Sequence, residues 1–238
     1  MIVVVGGIKG GSGKTTAATN LAVMRATSGV DLLLVDADGD QETAYDFTQQ
    51  RSERMDGDAG YTTIKLDGAA VRTQVLRLAD KYEDVIIDTG GRDSTSQRAA
   101  LGIADLLLVP FVPRSFDIWT LEKVAQLVGE MRQANLKLKA WTFLNRADPR
   151  GQENDLAAEA LKDAPGLEFI NVSVGTRKAF GNAAAEGLAV HELKNPDPKA
   201  VEEISALYSH IYGVSWTSGV TSKGASSQAS TGTPKGAL

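Results

Sequence analysis

The segment Lys9-Gly-Gly-Ser-Gly-Lys-Thr-Thr16, entered directly from the β-branched run Ile2-Val-Val-Val5, constrains this chain more than any other. A continuous run of β-branched residues suits a strand of a parallel sheet covered on both faces. The glycines let successive backbone N–H groups turn inward, where a side chain would collide with whatever they surround. From Lys14 onward, Ala17, Leu21 and Met24 fall at helical spacing. The loop therefore opens onto a helix N-terminus, with its unpaired N–H groups and partial positive charge. Strand, glycine-rich turn, Lys-Thr and helix together read as a phosphate loop. Lys14 can reach the β- and γ-phosphates, the Thr15 hydroxyl can ligate Mg²⁺, and Thr16 falls near the α-phosphate. The strict spacing G-x-x-x-x-G-K-[ST] is not met, because Ile8 stands at the first glycine position.

Short apolar runs recur at Leu32–Val35, Val85–Ile87, Leu106–Val109, Ala140–Leu144 and Phe169–Val172, with helically spaced segments such as Val71-Val75-Leu78 and Leu121-Val124-Ala125-Val128 between them. Strands alternating with helices predict an α/β fold with a parallel sheet and right-handed crossovers. The chain has 238 residues, enough for one good-sized domain, and residues 1–213 are expected to form it. Residues 214–238 are mostly Ser, Thr, Gly and Ala, with Lys223 and Lys235 and no acidic residue; they read as a flexible tail, with Val214 and Trp216 able to dock on the body. No signal-peptide pattern opens the chain, and runs such as Leu106–Val112 fall far short of the ~20 residues of a membrane span.

Composition removes whole classes of chemistry. With no cysteine there is no disulfide scaffold, thiolate zinc site, iron–sulfur cluster or cysteine nucleophile. His191 and His210 are the only histidines, which argues against a histidine metal site or a Ser/His catalytic set.

Two acidic elements follow the phosphate loop. In Val35-Asp-Ala-Asp-Gly-Asp-Gln41, carboxylates at i and i+2 leave a strand on one side, toward the crevice where open α/β sheets bind ligands. In Tyr82-Glu-Asp-Val-Ile-Ile-Asp-Thr-Gly-Gly91, an apolar strand ends in Asp88, the Walker B arrangement in which a carboxylate holds Mg²⁺, usually through water. Gly90 and Gly91 allow the next loop to approach a γ-phosphate and change shape when it leaves. Arg92 and Asp93 are either switch residues or solvated surface.

A lysine heading the loop, in K-G-G-x-G-K-T-T, marks the deviant Walker A group. The sequence resembles ParA/MinD ATPases, and among them the small ParA proteins without an N-terminal DNA-binding extension, over about residues 1–213. The resemblance implies a P-loop NTPase with a doubly wound, mostly parallel sheet and helices on both faces. It implies ATP and Mg²⁺, held by Lys9, Gly10, Gly11, Ser12, Gly13, Lys14, Thr15 and Thr16. Lys9 is the family's signature lysine, reaching across a nucleotide-sandwich homodimer to the partner's phosphates. Asp36 and Asp38 match the D-x-D-P-Q segment, which places Asp36 with Thr15 and Asp88 near the metal and has Asp38 orient the attacking water. Here Gly39 replaces the family's proline, and Asp40 stands at the usual glutamine, with Gln41 one later. Lys9, Lys14 and Asp38 are then the catalytic set.

Val109-Pro-Phe-Val-Pro-Arg-Ser-Phe-Asp-Ile-Trp119 resembles V-P-x-x-P-x-x-x-D-x-W, with Pro110 and Pro113 fixing the chain as it leaves the sheet and Asp117 capping the next helix. By resemblance Asn145 recognises the base, with Arg146 beside it; an ordinary turn asparagine is the other reading. Residues 175–190 resemble R-x-x-F-x-x-A-x-x-x-G, with Gly187 as a C-cap, and make Arg177 and Lys178 candidates for DNA phosphates. Lys137, Lys139, Arg146 and Arg150 would complete a basic face on the dimer.

The implied function is a cytoplasmic, nucleoid-associated partition ATPase. It would bind DNA non-specifically, respond to a ParB-like centromere-binding or adaptor protein, and position a plasmid, chromosome or protein cargo. A membrane-acting relative needs a basic amphipathic C-terminal helix, whereas Pro198 to Tyr212 carries Glu202 and Glu203. Cluster-carrying relatives need cysteines, and a tyrosine-kinase relative needs a tyrosine-rich tail. A small-molecule ligase or synthetase on the same fold is the remaining alternative. The net charge of −5 becomes −7 for residues 1–213 once the two tail lysines are set aside. Much of this acid sits in the motifs or on an expected surface segment from Asp40 to Asp58, so DNA binding would be weak and dependent on dimer formation.

Overall fold

The computed structural model describes residues 1–39, 41, 43–115, 117–148 and 152–216. The expectations for Asp40, for Arg150 and for the tail beyond Trp216 lie outside the described residues.

The described chain forms a seven-stranded sheet in the order β3-β2-β4-β1-β5-β6-β7. Its strands are β1 (Ile2–Val5), β2 (Leu32–Ala37), β3 (Thr62–Lys65), β4 (Asp84–Thr89), β5 (Leu106–Phe111), β6 (Lys139–Ala147) and β7 (Glu168–Gly175). Every paired strand is parallel. The helices are α1 (Lys14–Thr27), α2 (Thr43–Arg54), α3 (Ala70–Leu78), α4 (Thr95–Leu101), α5 (Ile118–Ala134), α6 (Glu153–Lys162), α7 (Lys178–Ala184) and α8 (Pro198–Tyr212).

Alternation along β1 shows how the layers form. Val3 and Val5 pack with Leu21 and Met24 of α1 and Leu207 of α8. Val4, between them, faces the other way and joins Val71 and Val75 of α3, Leu101 of α4, Leu121 and Val124 of α5 and Leu161 of α6. Both faces are covered, which is why the strands read as unbroken apolar runs. β1 lies at the centre, and the chain winds outward from it through β4, β2 and β3 on one side and β5, β6 and β7 on the other. The crevice at the C-terminal ends of β1 and its neighbours is thus the topological switch point, where ligands bind in this architecture.

Three elements depart from the sequence reading. β3, Thr-Thr-Ile-Lys, was not anticipated; it is a short edge strand that pairs only with β2 and buries none of its residues fully. Asp40 to Asp58 is not merely acidic surface: α2 lies within it and buries Ala44, Phe47, Thr48 and Arg51. Pro110 lies inside β5 rather than at its exit, opposite Phe143 of β6. Asp117 does cap α5, accepting from Thr120 N at 2.6 Å. Gly213, with φ +67°, closes α8, and the Trp216 ring packs against His191 at 4.4 Å while Val214 stays exposed.

Candidate functional site

The loop between β1 and α1 takes its shape from glycine. Gly11 and Gly13 hold φ +71° and +89°, in the left-handed region, and Gly13 is the N-cap residue of α1 without any capping side chain. The first N–H groups of α1 thus have no protein side chain to satisfy them, which suits an anion. A cavity of about 360 Å³ opens there, lined by Gly10, Gly11, Gly13, Lys14, Thr15, Thr16, Asp38, Gly91, Arg92 and Arg146, among others.

Lys14 is 6% exposed, and its ammonium donates to Lys9 O at 3.1 Å. Burial lowers its pKa, countered by the charges of Asp88 and Asp38. Asp88 is 1% exposed, and its Oδ1 has no hydrogen-bond partner among the described residues. Burial pushes its carboxyl up to about 7, against the opposing effects of a Thr15 hydrogen bond and of Lys14. A buried carboxylate oxygen without a partner, beside a threonine hydroxyl and below a phosphate cradle, suits Mg²⁺. That ion needs only one or two protein oxygens when phosphates and water supply the rest. Accordingly, no group of three His, Cys, Asp or Glu side chains poised for a metal occurs among the described residues.

Asp36 pairs in register with Asp88 on the neighbouring strand and is equally buried. Its oxygens, however, face backbone donors: Oδ1 accepts from Asp38 N at 3.1 Å and Oδ2 from Tyr45 N at 2.8 Å. Asp36, whose charge acts on the neighbouring Asp88, thus also holds the loop that carries Asp38 and the start of α2. Burial raises the Asp36 pKa, opposed by those backbone bonds. Asp38 itself lines the phosphate cavity.

Lys9 does not line that cavity. It points outward and pairs with Asp117 Oδ2 at 3.0 Å, both side chains about two-fifths exposed. Trp119 and Ile118 beside Asp117 are 77% and 61% exposed, so the signature lysine belongs to an open face rather than to its own phosphate pocket.

A second cavity of about 290 Å³ shares Gly13, Thr16 and Arg146 with the first and continues toward β7, α7 and α8, lined also by Phe143, Asn145, Val174, Thr176, Arg177, Phe180 and Ile204. Its aromatic and aliphatic walls suit a nucleoside joined to phosphates in the first cavity. Asn145 is buried, and its amide donates to Ser12 O at 2.7 Å, so it braces the phosphate loop from below. A Cβ at Gly13 would lie 2.2 Å from that nitrogen, which only glycine avoids. Arg146, at φ +53°, and a register shift between Asn145 and Ala147 bend the end of β6 around the shared rim.

Within one protomer, the described basic residues expected to contribute to a face on the dimer lie apart. Arg177 grips Glu203 of α8 at 2.8 and 2.5 Å, and Glu203 also accepts from Gly175 N at 3.0 Å. Its charge is matched within the fold, on the wall of the nucleoside cavity, while Lys178 is exposed at the start of α7. Lys137 pairs with Asp105 at 2.8 Å, and Lys139 opens β6, whereas Arg146 is near its other end. At about 3.3 Å per strand residue, those lysines lie roughly 20 Å from Arg146.

The sequence reading missed Gln97. It is fully buried on α4, and its Oε1 accepts from Gly7 N at 3.1 Å and from Thr89 Oγ1 at 3.0 Å. One side chain thus ties α4 to the base of the phosphate loop and to the end of β4. An uninterrupted polar residue in the apolar spacing Gln97-Ala100-Leu101 was the available signal.

Comparison with known proteins agrees with this geometry. The family description "CobQ/CobB/MinD/ParA nucleotide binding domain" matches residues 3–190. The chain is 27% identical over 210 residues to the maintenance of carboxysome distribution protein A of Halothiobacillus neapolitanus, covering 87% of this chain and 94% of that protein. Among solved structures, a plasmid partition protein of Borrelia burgdorferi bound to AMPPNP superposes with a TM-score of 0.67 at 19% identity, over 88% of this chain and 96% of that one. The cell division ATPase MinD of Pyrococcus furiosus superposes at 0.70 and 18% identity, over 88% and 97%. The fold is that of the ParA/MinD P-loop NTPases, and the chain belongs to the CobQ/CobB/MinD/ParA family of nucleotide-binding domains.

Proposed function

We propose that this protein is a ParA-type ATPase that forms an ATP-dependent sandwich dimer, binds DNA non-specifically and positions cargo. The observation that carries the proposal is the division of labour between two lysines. Lys14 lies inside the phosphate cavity, while Lys9, five residues earlier, is directed away from it onto the open face with Trp119. A cation so placed serves the phosphates of a facing protomer, where it neutralises charge developing on the transferred phosphoryl group.

In this reading Gly10 to Gly13 and Thr16 hold the phosphates by backbone N–H groups, Lys14 pairs with the β- and γ-phosphates, and Asn145 and Arg146 border the base. Thr15 and Asp88 hold Mg²⁺, which when bound screens the phosphate charge. Asp36 fixes the loop on which Asp38 orients the attacking water. The fold body corresponds to residues 1–213. The site of action is cytoplasmic, on the nucleoid, with an adaptor of the ParB kind stimulating turnover; no helix among the described residues is long and apolar enough to cross a membrane. Two of the relatives named above are a plasmid partition protein and a protein for the maintenance of carboxysome distribution, so the cargo is a DNA molecule or a protein body.

The test is light scattering and turnover with ATP. The parent is expected to dimerise with ATP and not with ADP, Asp38→Ala to dimerise without hydrolysing, and Lys9→Ala to bind ATP without dimerising or hydrolysing. Parent-like turnover by Lys9→Ala refutes the trans arrangement.

A further inference from the structure

The loop after β4 carries Arg92, a residue that the proposed function leaves without a part. A Cβ on Gly91 would lie 2.6 Å from Gly10 Cα and 2.7 Å from Gly10 N, and one on Gly90 would lie 3.0 Å from Asp38 Oδ1. The two glycines therefore press this loop flat onto the phosphate loop and onto Asp38. Arg92 emerges from that contact at the mouth of the phosphate cavity, which it borders with Gly10, Gly11, Lys14 and Asp38. Its base is anchored from the far side: Asp93 takes the Arg98 guanidinium at 2.7 and 2.6 Å, and Arg98 reaches Glu130 of α5 at 2.9 Å. Arg92 also borders an outer recess of about 280 Å³ with Ile8, Lys123 and Glu130, so it stands between that recess and the phosphates.

Taking the ATPase reading as given, we infer that Arg92 is a catalytic residue acting in cis, its guanidinium donating to the terminal phosphate of ATP bound in its own protomer. The planar fork of arginine matches two phosphate oxygens. ADP ends one phosphate short and does not engage it. In hydrolysis the water oxygen bonds to the γ-phosphorus while the bond to the bridging oxygen breaks, that oxygen keeping the electron pair on ADP. The water's proton leaves with inorganic phosphate or solvent. Arg92 exchanges no proton and holds the non-bridging oxygens as charge shifts among them. Three cationic side chains then meet the terminal phosphate, Lys14 and Arg92 from its own chain and Lys9 from the partner.

The test uses the full chain with Mg²⁺, comparing parent, Arg92→Ala and Arg92→Lys for AMPPNP affinity, ADP affinity and turnover. Losing a charge-assisted bond predicts a drop of about 10-fold or more in AMPPNP affinity for Arg92→Ala. Its ADP affinity stays at the parent value, and Arg92→Lys recovers affinity more than turnover. Mixing Arg92→Ala with Lys9→Ala then distinguishes cis from trans. A mixed dimer retains one complete site if Arg92 acts in cis and none if it acts in trans, so restored turnover is expected. Parent-like AMPPNP affinity in Arg92→Ala or an equal loss for ADP overturns the inference, as does a mixture that dimerises by light scattering without restored turnover. A parent that neither binds AMPPNP nor hydrolyses ATP instead refutes the ATPase reading beneath it.

Discussion

Lys14 and Asp88 are both held where water would favour their charges more. Burial lowers the lysine's pKa and lifts the aspartate's to about 7, and each partly offsets the other. Such opposed shifts at the end of a cleft are typical of a site whose charge is completed by a ligand. Lys14→Ala is expected to abolish AMPPNP binding in calorimetry. Asp88→Asn removes a buried carboxylate, so it should raise the melting temperature of the nucleotide-free protein while removing the extra stabilisation that Mg²⁺ adds to nucleotide; an unchanged Mg²⁺ effect would take Asp88 out of the metal site. Asp117 shows the opposite behaviour, its pKa lowered to about 2 by Thr120 and Lys9. Because its folded-state pKa is depressed, its stabilisation is complete above about pH 4 and is lost as pH falls toward 2. The stability difference between parent and Asp117→Ala, measured by denaturant titration, should shrink across that window. The phosphate-loop residues were legible because they are consecutive in the chain. The Asn145 bond to Ser12 O was not, since it joins residues 133 apart whose contact depends on sheet order.

At the level of elements, the apolar runs identified six of the strands because a parallel sheet buried on both faces needs uninterrupted hydrophobic residues. β3 escaped because an edge strand with one neighbour needs no such run. α2 escaped because its buried face includes the polar residues Thr48 and Arg51, and Arg51 finds Glu192 and Gly187 far along the chain. Arg51 is held by both oxygens of Glu192, at 2.7 and 2.8 Å, and donates to Ala59 O. Gly187 sits over this cluster. Leu188 N bonds to Ala183 O and Gly187 N to Ala184 O, the Schellman pattern that ends α7, with Gly187 at φ +66°. A Cβ there would also lie 2.5 Å from Arg51 N. Gly187→Ala should therefore destabilise the fold by about 2 kcal/mol or more, from left-handed strain plus a backbone clash. Urea denaturation reads this directly, and a change under 0.5 kcal/mol or so, the usual range for surface substitutions, would contradict it.

For the whole molecule, strand order decides what meets what. With β1 between β4 and β5, the ends of β1, β2 and β4 bring Lys14, Asp38 and Asp88 into one crevice, and the ends of β6 and β7 extend it into the nucleoside cavity. The net charge of −5 sits awkwardly with DNA binding, and within one protomer Lys139 and Arg146 lie toward opposite ends of β6. Under the proposed function, attraction to DNA would depend on how two protomers combine their surfaces, which would tie it to ATP. The most direct measurement is a mobility shift of non-specific duplex DNA with ATP, with ADP and without nucleotide, repeated across salt. A shift with ATP alone is expected, weakening steeply as salt rises because displaced counterions drive binding. Binding of equal strength without nucleotide, or no binding with ATP by a protein that dimerises, would contradict it.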